Sequence, residues 1–255
     1  PLALACGEHA MPVPLAETLG AHALAGAAGM AIPAGAASFA VLRSRGEANE
    51  ARDEVNEEPD AAGDSVPGDD MPGEEAAEVP WGVNVGTVVA VSPDGDVNML
   101  DAEKAVARHR RDAAGEMRSS MRWPRSVRAD RTAAERIDAS AILHVGAALR
   151  AAQLAGAMQT VLRMSVRYAS DRVQFGRPIG RFQAIQQQLA LMAELVAQAT
   201  MGAELAFDCD GPLPDPLRAA CAKQVASANA LQCAAIAHAV HGAIGITAEH
   251  DLQLF

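Results

Sequence analysis

RYASDRVQFGRPIGRFQAIQQQ, residues Arg167–Gln188, is the stretch on which the reading of this chain turns. It opens as a helix carrying Arg163, Arg167 and Arg172, breaks at Gly176, Arg177 and Pro178, and starts a second helix near Phe182. Proline has no amide hydrogen and disfavours helix in the residue before it, so a sharp corner between two helices is predicted. Arginines before the corner and glutamines after it suit a phosphate-bearing ligand, because a guanidinium presents a planar fork of donors that matches phosphate oxygens.

Around this corner the C-terminal half reads as helix almost throughout. Ala141–Tyr168 has a nearly continuous Ala, Leu and Met face. Phe182–Phe207 sets Ile185, Leu189, Met192, Leu195, Val196 and Ala199 on one side, the spacing of a core-facing helix. GPLPDP (Gly211–Pro216) is an interhelix turn, Leu217–His241 a third helix, and HGAIGIT (His241–Thr247) a glycine-punctuated turn. Three long helices with short connections predict an up-down bundle over residues 130–255.

Upstream the character changes. Residues 80–129 read as a small, partly open antiparallel β-domain, with strands at Val85–Val91 and Asp96–Leu100 around the turn SPDG, and a third strand within Met117–Val127. Residues 43–79 are rich in Glu, Asp, Gly and Pro, a composition that cannot bury enough apolar surface to offset ordering, and predict a solvated loop between strands. Residues 1–42 hold a helix around Leu15–Leu24, closed by Gly29 and Pro33, and a strand candidate at Ser38–Leu42. The expected fold class is therefore α+β, mainly α, with a helical bundle after a small β-domain.

Composition excludes several classes. The net charge of −11 is concentrated in residues 47–78, which hold thirteen acidic side chains and one arginine, so the remainder is close to neutral. Nothing argues for nucleic-acid binding. Cys6, Cys209, Cys221 and Cys233 form no CxxC pair, so neither a zinc site nor a disulfide framework is expected. His238 and His241, three apart, read as helix-end histidines rather than a metal pair. No signal peptide is visible, Leu15–Ile32 is interrupted by glycines, Glu17 and His22, and a cytoplasmic protein without membrane insertion is expected.

These residues carry a resemblance. RYASDRVQFGRPIGRFQAIQQQLALMAELV closely resembles the C-terminal helical domain of acyl-CoA dehydrogenases. AHAVHGAIGITAEHDLQLF is similar to that family's glycine-rich turn after a helix, and MPVPLAETLGAHAL to the last part of its N-terminal helical domain. The resemblance implies an FAD-dependent α,β-dehydrogenation of an acyl-CoA thioester. In the family a carboxylate takes the α-proton, the β-hydride passes to the flavin, and electrons leave to an electron-transfer flavoprotein. It also implies a flavin held by a middle β-domain and the helical bundle, with its adenine end reaching a neighbouring subunit.

Carried over residue by residue, Arg172 matches the arginine on the flavin pyrophosphate, Gln174 and Phe175 match positions lining the flavin, and Gly176 allows close backbone approach. Gln183 matches a glutamine on the adenine-side ribose or phosphate. Gly242 and Gly245 match the glycine turn that meets the dinucleotide of a partner subunit, although Ala243 replaces the usual second glycine and Ala239 a frequent glutamine. The catalytic base is not identified: Gly146 stands where one group of the family carries it, another group carries it beyond the equivalent of Phe255, and Glu249 is the nearest candidate.

On this resemblance most of the N-terminal helical domain is missing, and residues 1–42 are read as its remnant. The acidic stretch 47–78 stands where the family's flavin-binding strands are expected. Three readings follow: a subunit sharing FAD sites with a fuller partner in a hetero-oligomer, as short members do in bacterial steroid side-chain breakdown; a fragment of a homo-oligomeric enzyme; or a non-catalytic structural subunit that binds no flavin.

Overall fold

In the computed structural model, the described residues are 1–11, 13–43, 74–112, 116–124, 127, 129 and 133–255. Residues 44–73 of the expected acidic loop lie outside them. The described chain divides into two compact units, Pro1–Ala16 with Leu143–Phe255, and Glu17–Ile142. This differs from the division expected from sequence, which grouped residues 1–42 as one remnant.

The second unit holds helix α2 (Leu15–Ala27) and two three-stranded sheets. In one sheet, β1 (Ala37–Val41), β3 (Thr87–Val91) and β4 (Val97–Asp101) lie in the order β1-β3-β4. In the other, β2 (Glu74–Pro80), β6 (Met117–Trp123) and β5 (Val106–Arg111) lie in the order β2-β6-β5. β1 pairs with β3 in parallel, so the unit is mixed rather than wholly antiparallel. The central strand β3 buries both faces, as an uninterrupted run of Val and Ala permits.

The inner faces form one core from Ala40, Leu42, Ala76, Val79, Val88, Leu100, Met121 and Trp123. The Trp123 indole N–H donates to the Asp101 carbonyl at 2.8 Å, which satisfies the polar edge of a fully buried ring. On α2, Thr18 Oγ1 donates to the Ala37 carbonyl and accepts from the Ala37 amide, pinning that helix to the start of β1. Two strands depart from expectation. Residues 74–79, expected in the solvated loop, instead belong to the bulged strand Glu74–Pro80, whose Ala76 and Val79 enter the core. Val106–Arg111 was not foreseen and forms an exposed edge.

The first unit is built on α3 (Ser140–Asp171), α4 (Gln183–Ala206) and α5 (Pro216–His241). The Asp138 carboxylate accepts the Ser140 amide at the start of α3, and Asp215 caps α5 through the Arg218 amide at 2.9 Å with Pro216 in the first turn. α4 buries Met192, Leu195, Val196, Ala199, Ala203 and Ala206. α5 buries Ala219, Ala222, Ala226 and Ala237 among larger residues, and at its alanine end the two backbones approach closely: a Cβ at Gly202 would lie 3.6 Å from the Ala222 Cα. Polar links stitch the three together: Gln159 Nε2 donates to Thr200 Oγ1 at 3.0 Å, and Asn229 Nδ2 donates to the Leu195 carbonyl at 3.0 Å. α3 and α4 are long and apolar enough to cross a membrane by length and composition alone, but here their apolar faces contribute to the bundle core.

Helix α1 (Leu2–Glu8) packs on α3 at backbone distance. A Cβ at Gly156 would lie 1.9 Å from the Leu4 carbonyl oxygen, and one at Gly7 1.7 Å from that of Gln153. Thr160 Oγ1 donates to the Glu8 carbonyl at 2.7 Å, and Arg163 pairs with Glu8 at 2.6 Å. Arg163, grouped by sequence with the arginines of the corner, thus serves the α1–α3 contact.

Candidate functional site

Helix α3 stops at Asp171, and the corner that follows is a miniature β-hairpin. β7 (Val173–Gln174) pairs with β8 (Arg177–Pro178), and Phe175 and Gly176 form the tip with φ of 52° and 77°. Positive φ at both central residues is the pattern of a type I′ turn. It suits glycine but is costly for phenylalanine. The strain is held by the closing bonds: the Arg172 amide donates to the Tyr168 carbonyl and the Ile179 amide to the Arg172 carbonyl, both at 2.8 Å. Such strain at an exposed tip is characteristic of a presented side chain. Phe175 is 90% exposed.

The tip is braced from one side. The Arg177 guanidinium lies 4.3 Å over the Phe182 ring, and Phe182 meets Phe175 edge-on at 6.1 Å. Arg177 entered the sequence reading only as part of the helix break, and its partner five residues on was the signal for this role. Asp171 pairs with Arg167 at 3.7 Å, and among the described residues Arg172 makes no ion pair. Arg172, Gln174, Gly176 and Gln183 are all exposed. Gln183 begins α4, whose first turn has no side-chain cap, so its leading amides point toward the corner.

Replacing Phe175 with asparagine creates Asn-Gly, the preferred type I′ pair. F175N is expected to leave the thermal midpoint unchanged or raise it, while weakening whatever ligand the tip contacts. A midpoint lowered as in core truncations would contradict the strained geometry.

The glycine turn lies at the same end of the bundle. Because α3, α4 and α5 alternate in direction, the ends of α3 and α5 and the start of α4 converge there. The Tyr168 and His241 rings stack at 4.6 Å, joining the last turns of α3 and α5. The structure therefore brings together two motifs that stand some seventy residues apart in sequence. Gly242 has φ 64° and ψ −143°, with no atom within 4 Å of where a Cβ would stand. Its backbone is thus exposed in a conformation that other residues rarely adopt. Gly245 is different: it is buried, and a Cβ there would stand 3.0 Å from His241 Cβ and 3.2 Å from Leu252 Cδ2.

Glu249 is exposed on the turn between Thr247 and His250. The described residues contain no group of three or more metal-ligating side chains arranged for a metal. Burial pushes the Cys233 thiol up to about 11, so it stays protonated among the helices and is no nucleophile.

Residues 137–255 match the model of the acyl-CoA dehydrogenase C-terminal domain. The acyl-CoA dehydrogenase IpdE2 of Mycobacterium tuberculosis (strain H37Rv) is 41% identical over 114 residues, covering 45% of this chain and 35% of that protein. The chain thus spans about a third of the length of that curated relative. Two solved structures share the fold over 99% of this chain: the ChsE4–ChsE5 complex from Mycobacterium tuberculosis, with TM-score 0.70, 21% identity and 71% of that chain covered, and the Tcur3481–Tcur3483 steroid ACAD, with TM-score 0.68, 24% identity and 72% covered. With its helix–hairpin–helix corner and glycine turn, the segment 137–255 is similar to the acyl-CoA dehydrogenase C-terminal domain.

Proposed function

We propose that this chain is a subunit of an FAD-dependent acyl-CoA dehydrogenase and shares its flavin sites with a partner chain. The observation that carries the reading is the convergence of the Arg172–Gln183 corner and the Gly242 turn at one end of the bundle. The residues there fit a flavin dinucleotide. A guanidinium and the uncapped start of α4 suit the pyrophosphate, side-chain amides suit ribose and adenine edges, and Phe175 offers a ring face. Gly176 and Gly242 leave open space where any other residue would place a Cβ. Bound FAD supplies the hydride acceptor for oxidation of the Cα–Cβ bond. This chain's own residues bind and orient: Arg172 the phosphates, Gln174 and Gln183 the polar edges, and the Gly242 backbone the approach of the dinucleotide.

The reading extends to partners. The substrate is an acyl-CoA thioester, electrons leave to an electron-transfer flavoprotein, and a second acyl-CoA dehydrogenase subunit completes the site. The likeness to ChsE4–ChsE5, a complex of two proteins, and to a steroid ACAD supports a hetero-oligomer in steroid or related lipid breakdown. A cytoplasmic setting is part of the same proposal, and the free thiols of Cys209, Cys221 and Cys233 suit it. The exposure of Glu249 favours a base supplied by the partner, since a general base works best where desolvation tunes its pKa.

One specific observation keeps a second reading, a structural subunit that binds no flavin: Ala239 and Ala243 stand on the glycine turn where the family carries a glutamine and a glycine. The two readings separate in one assay. The chain is co-purified with a fuller acyl-CoA dehydrogenase subunit and mixed anaerobically with a saturated acyl-CoA. Bleaching of the flavin band that requires both chains supports the shared site, whereas bleaching by the partner alone, at the same rate and flavin content, supports the structural subunit.

A further inference from the structure

The end of the bundle that presents the Gly242 turn is closed by three rings. His241, the last residue of α5, is 3% exposed. Its Nδ1 lies 2.8 Å from the Ala237 carbonyl. A carbonyl only accepts, so Nδ1 carries the proton and Nε2 is a bare lone pair. That Nε2 is buried with no hydrogen-bond partner. The His241 ring lies between Tyr168 at 4.6 Å and His250 at 4.8 Å. His250 Nδ1 accepts the Leu252 amide at 3.1 Å and caps the closing 3-10 turn Asp251–Leu254. Leu252 is buried against the α3 and α5 faces, and Gly245 is wedged between Leu252 and His241.

We propose that His241 and His250 are positioning residues: packed with Tyr168, they clasp the Gly242–Ile246 turn against the bundle while the buried His241 ring is neutral, and protonation of His241 on acidification releases it. A proton on His241 Nε2 would enter a buried site with no acceptor. The groups facing the clasp do not offset this. α3 contributes Tyr168, α5 contributes His238, and the closing segment contributes Glu249 and Asp251, both exposed. Among the described residues no carboxylate pairs with either ring.

Burial is the largest influence on His241 and holds it below the ordinary histidine value. The neighbouring His250 and His238 lower it further, and the bond to the Ala237 carbonyl opposes them. The sign follows. The open form takes up protons more readily than the clasped form, so the clasp is fully stable above about pH 6.5 and weakens as pH falls below it. The consequence for the dinucleotide rests on the functional reading above, while the clasp itself does not.

Hydrogen exchange on the full chain tests the clasp, with rates corrected for intrinsic pH dependence and the middle of α5 as internal control. Between about pH 7.5 and about pH 5.5, protection over residues 242–255 is expected to fall several-fold relative to that control. H250N keeps a side-chain cap and leaves the buried His241 lone pair in place, so it is expected to retain the fall. H241F keeps a ring beside Tyr168 without the buried lone pair, and is expected to flatten the profile. A flat profile in the unsubstituted chain, an undiminished fall in H241F, or a fall abolished in H250N overturns the proposal, the last because His241 is then not the group that takes the proton. Flavin retention, followed in the complex with a fuller subunit, is expected to fall over the same range and to be restored by H241F. If exchange behaves as expected but no flavin binds at any pH, the clasp stands and the dinucleotide reading falls.

Discussion

Replacing Gly156 with alanine is expected to destabilise the helical unit by about 1–3 kcal/mol and to free α1, against the usual effect of that substitution. In a helix interior, Gly to Ala normally stabilises by about 0.5–1 kcal/mol, because alanine has less backbone freedom to lose on folding. At Gly156 the new methyl would stand 1.9 Å from the Leu4 carbonyl oxygen and 2.7 Å from the Glu8 amide nitrogen. Both are backbone atoms, so no flexible side chain can yield, and α1 must lift away. Lifting it exposes Ala3 and Cys6 and breaks the Thr160 and Arg163 contacts to Glu8. Gly26 in α2 is the internal control: nothing lies within 4 Å of its added Cβ, so G26A should stabilise. Urea melts of the two variants, with limited proteolysis of residues 1–11, read both signs. A stabilised G156A would contradict the backbone contact.

Replacing Arg172 with alanine is expected to weaken FAD binding about tenfold to a hundredfold while leaving the melting midpoint nearly unchanged. Removing a charged donor from a phosphate costs about 1.5–3 kcal/mol, which corresponds to that range. Stability is spared because the Arg172 side chain is exposed and without an ion pair among the described residues, while its backbone bonds to Tyr168 and Ile179 persist. Isothermal titration with FAD, in the complex with a fuller subunit, measures the first effect, and calorimetric unfolding the second. R172K should recover only part of the affinity, since an ammonium cannot make the bidentate contact. Unchanged affinity in R172A would remove Arg172 from the site.

The helices were legible because local signals agree. Asp215 and Pro216 mark the start of α5, and the apolar spacing of Met192, Leu195, Val196 and Ala199 fixes the inner face of α4. The corner was legible as a break through Gly176 and Pro178, but not as a hairpin, since a left-handed phenylalanine runs against local preference. Two strands were hidden for opposite reasons. In Glu74–Pro80 the glutamates mask Ala76 and Val79, which take their value from the core across the sheet. In Val106–Arg111 an exposed edge needs little apolar surface, so arginine and histidine dominate.

Long-range facts left no local trace. The assignment of α1 to the helical unit depends on Gly7 and Gly156, nearly 150 residues apart. The His241 cluster depends on Tyr168, the chain's single tyrosine, and on His250. The family motifs located the candidate site residues, whereas the convergence of the corner and the glycine turn required the three-helix packing.

The most direct test of the account is hydrogen exchange with and without FAD on this chain assembled with a fuller acyl-CoA dehydrogenase subunit. Protection is expected to rise on adding FAD in two separate segments, residues 172–183 and 242–246, with the middle of α5 unchanged. FAD binding that leaves both segments unchanged would contradict a dinucleotide site at this end of the bundle.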